Sequence, residues 1–91
     1  MSVTKQSFEI VNELGLHARA ATKLVQLAGR YKSEVQLEKD GQVANAKSVM
    51  GVLLLCGAKG TFVDVRADGP DADECVEQIG KLIADKFGEG R

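Results

Sequence analysis

The chain has 91 residues and a formal net charge of −1, which fits one small domain over residues 1–91 and gives no bulk pull toward nucleic acid or an anionic membrane. One histidine and two distant cysteines, Cys56 and Cys75, make no clustered metal-ligand set. Both thiols fall in apolar surroundings, which predicts buried, unpaired cysteines in a reducing compartment. The start, MSVTKQSFEI, lacks a signal-peptide core, and the longest apolar run, VMGVLLLC, is too short to span a bilayer. A cytoplasmic protein with no membrane insertion is expected.

The first element is SFEIV, where Phe8 and Ile10 share one face of a strand. NELG breaks it. From Ala18 the spacing turns helical, with Ala21, Leu24, Val25, Ala28 and Tyr31 on one stripe and Gly29 weakening the last turn. SEVQLEKDGQVANA reads as a hairpin: Val35 and Leu37 alternate with polar neighbours, Asp40-Gly41 suits a tight primed turn, and Val43 continues the return strand. Ser48 caps a helix of at most two turns, because Gly51 interrupts its otherwise apolar run. TFVDVRA alternates with Val63, Val65 and Ala67 inward. The last helix carries the stripe Ala72, Cys75, Val76, Ile79, Leu82, Ile83 and Phe87; Asp71 and Glu74 form a capping box and Gly88 stops it. The order β-α-β-β-α-β-α, with one apolar face per helix, predicts an α+β sandwich of two layers.

The single histidine, His17, stands where the strand pattern gives way to the first helix. A helix start has unpaired backbone N–H groups and a dipole that favours an anion over a cation. A neutral imidazole there is a nucleophile with one ring nitrogen free. A phosphoryl group on that nitrogen would meet the N–H groups of Ala18 and Arg19, and the Arg19 guanidinium would fork onto its oxygens. Gly15 keeps the approach unhindered. No acid or base partner for hydrolysis is evident, so a carrier fits better than an independent turnover enzyme. An ordinary loop-to-helix histidine is the competing reading.

GLHARAA, NAKSVMGVLLL and AKGT before a strand resemble the HPr family, the histidine-containing phosphocarriers of the phosphoenolpyruvate-dependent phosphotransferase system; NELGLHAR is also similar to its nitrogen-related branch. The resemblance runs from residue 3 to about 87. It implies an open-faced β-sandwich, with a four-stranded antiparallel sheet in order 1-4-2-3 covered on one face by three helices. It also implies a phosphoryl group carried on Nδ1 of His17, received from enzyme I and passed to a histidine of an enzyme IIA protein or domain. Arg19 would assist, and no metal or organic cofactor would be needed. The family usually has HARPA where this chain has HARAA. Alanine at position 20 forms helix well and adds an N–H donor, so the helix start is expected to survive.

Ser48 matches a family serine that an HPr kinase/phosphorylase modifies in many bacteria, and it is equally explained as an N-cap. The apolar side chains of the short helix exceed one buried face. Part of Val49, Met50, Leu53 and Leu54 should therefore be exposed, with an all-buried helix in a small core as the alternative; the family resemblance implies a docking surface there, with Thr22 of the first helix at its edge. A monomer that engages partners transiently is expected. The alternative function is a regulatory module that binds a kinase, enzyme or transcription factor through the Met50 patch. RNA binding through GAKG at 57–60 is rejected, because a strand follows it and the chain is slightly acidic.

Overall fold

The computed structural model describes residues 2–91. Its strands are β1 (Val3–Glu9), β2 (Glu34–Lys39), β3 (Gln42–Asn45) and β4 (Phe62–Asp68). Its helices are α1 (Ala18–Ala28), α2 (Val49–Leu54) and α3 (Ala72–Ala84), and a short 3-10 turn, Lys86–Gly88, follows. All strand pairs are antiparallel, in the order β1-β4-β2-β3. The register runs from Val3 opposite Asp68 to Glu9 opposite Phe62 on one side of β4, and from Glu34 opposite Asp68 on the other. The three helices cover one face, which is the expected open-faced sandwich.

Strand alternation decides what lies between the layers. Val63, Val65 and Ala67 of β4 and Val35 and Leu37 of β2 are buried, while their neighbours face the open side. Against them lie Ala20, Ala21, Leu24 and Ala28 of α1 and Cys75, Val76, Ile79 and Ile83 of α3. Each large apolar side chain buried this way contributes about 1.5–3 kcal/mol. Small residues set the closest approaches. A Cβ on Gly80 would sit 2.3 Å from the Phe8 ring, so glycine there lets α3 lie down on β1.

Several local expectations change. β1 begins at Val3, and Ile10 lies past its end, held by its N–H on Thr61 O at 2.8 Å. Asp40 and Gly41 both have positive φ, as a primed turn requires. That turn sends Ala44 inward and leaves Val43 58% exposed. Val25, Tyr31 and Leu82 are only half-buried. Cys56, the first residue after Leu55 closes α2, is exposed at φ 53, against the expected burial. Cys75 is buried, and burial, with the Asp71 carboxylate adding to it, pushes its thiol up to about 11. α3 ends at Ala84, so Phe87 is buried from outside the helix and Gly88 is not its stop.

Asp71 begins α3 without capping it through its side chain. Its carboxylate instead accepts from Lys32 N at 2.8 Å, Ser33 N at 3.0 Å and Ser33 Oγ at 2.5 Å, tying the entry of β2 to α3. The Ser33 hydroxyl, with the Lys32 N–H next, holds the Asp71 carboxyl below its ordinary range against the effect of burial. A carboxyl lowered in the folded state adds stability above its unfolded pKa of about 3.9 and loses it as pH falls. In Asp71→Asn one amide edge would turn a donor toward the Lys32 N–H. The variant should therefore melt below the wild type at neutral pH, and the gap should close below about pH 4. Thermal melts across that range check this.

Candidate phosphoryl-acceptor site

The loop that carries His17 is built by close backbone approach. Gly15 has φ 64, and a Cβ on it would meet Gly57 O at 2.3 Å. Leu16 N donates to the same Gly57 O at 2.8 Å, so the loop is pinned to the exit of α2. Gly15 is thus required for a tight contact, rather than for the open, flexible approach its type suggests. Asn12, fully buried, donates from Nδ2 to Gly15 O at 3.0 Å.

His17 occupies the N-cap position of α1, but its side chain makes no cap bond. The first free N–H groups of α1, those of Ala18 and Arg19, follow it directly, and Ala21 N bonds back to His17 O at 2.8 Å. Ala20 is fully buried in this first turn, and the helix begins at Ala18 without the family proline. Arg19 is exposed. Thr22 is exposed too, and its hydroxyl is turned back onto Ala18 O at 2.8 Å.

The imidazole, 28% exposed, meets a partner that sequence reasoning missed. Nε2 of His17 is hydrogen-bonded to Oε2 of Glu89. The other carboxylate oxygen of Glu89 accepts from Asn12 Nδ2 at 2.8 Å. Burial raises the Glu89 carboxyl, but the bonds from Asn12 and His17, with the charges of His17 and Lys23, outweigh it and leave the carboxyl below its ordinary range. The carboxylate reaches His17 because the chain turns back after α3. Lys86 and Phe87 both take positive φ, 56 and 54, at roughly 1–2 kcal/mol each for residues with a Cβ. Buried Phe87 anchors the turn, Lys23 Nζ donates to Phe87 O at 2.7 Å, and Glu13 N donates to Arg91 O at 3.1 Å. The sequence signal was an acid between two glycines in FGEGR, just past the Gly88 read as the stop of the last helix.

His17 and Glu89 lie in a cleft of about 730 Å³ whose wall also carries Arg19, Lys23 and Arg91. Glu13 lies on the same wall, so the carboxylates of Glu13 and Glu89 partly match these cations; the helix start and the Arg19 side chain beside the imidazole are what suit an anion next to the ring. Ser48 caps α2 as expected, its Oγ accepting from Gly51 N at 3.1 Å. Met50 and Leu54 are each 67% exposed, whereas Val49 and Leu53 are half-buried. Leu14, beside the cleft, is 70% exposed and was not anticipated.

The family model described as "PTS HPr component phosphorylation site" matches residues 4–85. This chain belongs to the HPr family. A phosphocarrier protein HPr from Cupriavidus necator is 48% identical over 81 residues, covering 89% of this chain and 91% of that protein. The crystal structure of HPr-C-His from Thermoanaerobacter tengcongensis superposes with a TM-score of 0.91 at 41% identity, covering 94% of this chain and 97% of that one. An HPr dimer from the same organism superposes at 0.77, with 43% identity over 90% of this chain and 94% of that one. The four-stranded sheet with three helices is the HPr fold, and the phosphotransferase system is the setting of the family. Among the described residues no helix is long and apolar enough to cross a membrane.

Proposed function

We propose that this HPr-family protein accepts a phosphoryl group from phospho-enzyme I on Nδ1 of His17 and passes it to a histidine of an enzyme IIA protein or domain. The observation that carries this reading is His17 at the start of α1, half-exposed in a cleft walled by Arg19, Lys23 and Arg91. The group would bind beside the Ala18 and Arg19 N–H donors, with the Arg19 side chain closing on its oxygens. All of these groups come from one copy of the chain, so a cytoplasmic monomer suffices for transfer.

Docking falls to Met50 and Leu54, with Val49 and Leu53 behind them and Thr22 at the edge. Two large apolar side chains that stay exposed on a short helix support a surface covered only transiently. Phosphorylation of Ser48 by a kinase would displace the Gly51 cap bond and add charge beside this patch, which would weaken docking. The same patch supports the second reading, a regulatory module whose partner binds without using His17.

Transfer of labelled phosphate from phosphoenolpyruvate through purified enzyme I separates the two. An acid-labile, alkali-stable label should form on the wild type and on Ser48→Ala, and be lost in His17→Ala. Absence of label on the folded wild type, with the cognate enzyme I, would overturn the carrier reading and favour the regulatory one.

A further inference from the structure

We propose that Glu89 is a positioning residue that selects the tautomer of His17, and so decides which ring nitrogen takes the phosphoryl group; this rests on the carrier reading above. An ionised carboxylate can only accept hydrogen bonds. One Glu89 oxygen is occupied by Asn12 Nδ2 and the other faces Nε2 of His17. The ring proton must therefore sit on Nε2, which leaves the lone pair on Nδ1. No protein group is bonded to Nδ1 among the described residues.

The transfer step gives the carboxylate a second task. The Nδ1 lone pair attacks phosphorus, and a new N–P bond forms as the N–P bond to the enzyme I histidine breaks. The departing enzyme I nitrogen keeps that electron pair. Nε2 keeps its proton throughout, so positive charge develops on the His17 ring. The Glu89 carboxylate lies against the nitrogen that bears the proton, where it offsets this charge, as the aspartate of a hydrolase triad does for its histidine.

The surroundings show a built contact rather than a chance meeting at a chain end. Asn12 is fully buried and spends one amide group on both Gly15 O and Glu89. Two successive residues with side chains hold left-handed backbone to turn the chain toward His17. Lys23, from the helix that His17 begins, clasps the carbonyl of Phe87.

Glu89→Gln tests the assignment because it keeps the shape and changes the donor pattern. A glutamine has one oxygen and one NH₂. Asn12 Nδ2 claims the oxygen, and the NH₂ then presents a donor to Nε2, which must become the acceptor. The ring proton moves to Nδ1 and the nucleophile is blocked. Nitrogen-15 NMR of the imidazole should show the Nε2–H tautomer in the wild type and Glu89→Asp, and the Nδ1–H tautomer in Glu89→Gln. Initial labelling by enzyme I should fall about 10-fold or more in Glu89→Gln, the lower end of the loss seen when the carboxylate partner of a metal-bound histidine is removed. Glu89→Asp should recover most of the rate. An unchanged rate, or an unchanged tautomer, in Glu89→Gln overturns the proposal and leaves the carrier reading intact. If the wild type takes no label the carrier reading fails instead, and the tautomer comparison alone then upholds or overturns the role of Glu89 on the ring.

Discussion

Gly15→Ala is expected to destabilise the protein by about 3 kcal/mol or more, near the top of the range for single substitutions. Two costs combine. The residue holds φ 64, which an alanine adopts at a cost of roughly 1–2 kcal/mol. Its new Cβ would also lie 2.3 Å from Gly57 O and 3.1 Å from Ala58 Cα. Both are backbone atoms, so no rotamer change relieves the clash. The loop must move away from the exit of α2, which breaks the 2.8 Å bond from Leu16 N to Gly57 O and the Asn12 bond to Gly15 O. Gly41→Ala supplies the control. That glycine sits at φ 83 with nothing within 4 Å of its Cβ position, so only the conformational cost of about 1–2 kcal/mol remains. Urea unfolding of the two variants measures the difference. Equal losses would show that the contact with Gly57 carries no energy. Because the same loop delivers His17, Gly15→Ala should also be labelled poorly under conditions where it remains folded.

What the sequence discloses depends on how local the cause is. The inward set Val63, Val65 and Ala67, the Asp40-Gly41 turn and the Ser48 cap each follow from a few neighbouring residues, and each forms as read. The errors arise where a distant partner competes. Asp71 looks like a cap, yet Lys32 and Ser33 take its carboxylate across the gap between α3 and β2. Val43 continues the return strand as read, and the register set by the turn, which the sequence reading did not address, sends Ala44 rather than Val43 inward. Cys56 belongs to an apolar run, and positive φ after α2 turns it outward. His17 was legible because its helix starts beside it. Glu89 was not, because it arrives from the far end of the chain. Its route there breaks the helical period at Ala84 while keeping Phe87 buried, so the apolar stripe reads as running on to Phe87.

Phe87→Ala should cost about 3–5 kcal/mol, as expected for emptying the site of a fully buried aromatic ring. Alanine has the same left-handed backbone to hold, so the substitution isolates the side chain from the strain at φ 54. Domains of this kind have about 5–15 kcal/mol in total, so the variant stays folded only with a thin margin. Its effect on the site should exceed its effect on the rest of the sheet. The Phe87 ring is the one apolar anchor of the turn that carries Glu89; Lys23 Nζ holds the adjoining carbonyl, but an exposed lysine tether is weak without the ring. Once the anchor is lost, only the polar contacts of Lys23, Asn12, His17 and Glu13 hold the turn against the cost of two residues at positive φ, and Glu89 spends less time on His17. In Phe87→Ala at low temperature, phosphoryl labelling should therefore fall, though less than in Glu89→Gln, where the glutamine NH₂ forces the unreactive tautomer, even though the folded baseline is retained. Phe87→Leu fills most of the space and should keep both stability and labelling close to wild type. If Phe87→Ala lost stability but was labelled at the wild-type rate, the chain end would be dispensable to the chemistry. The strain stored at Lys86 and Phe87 would then serve packing alone.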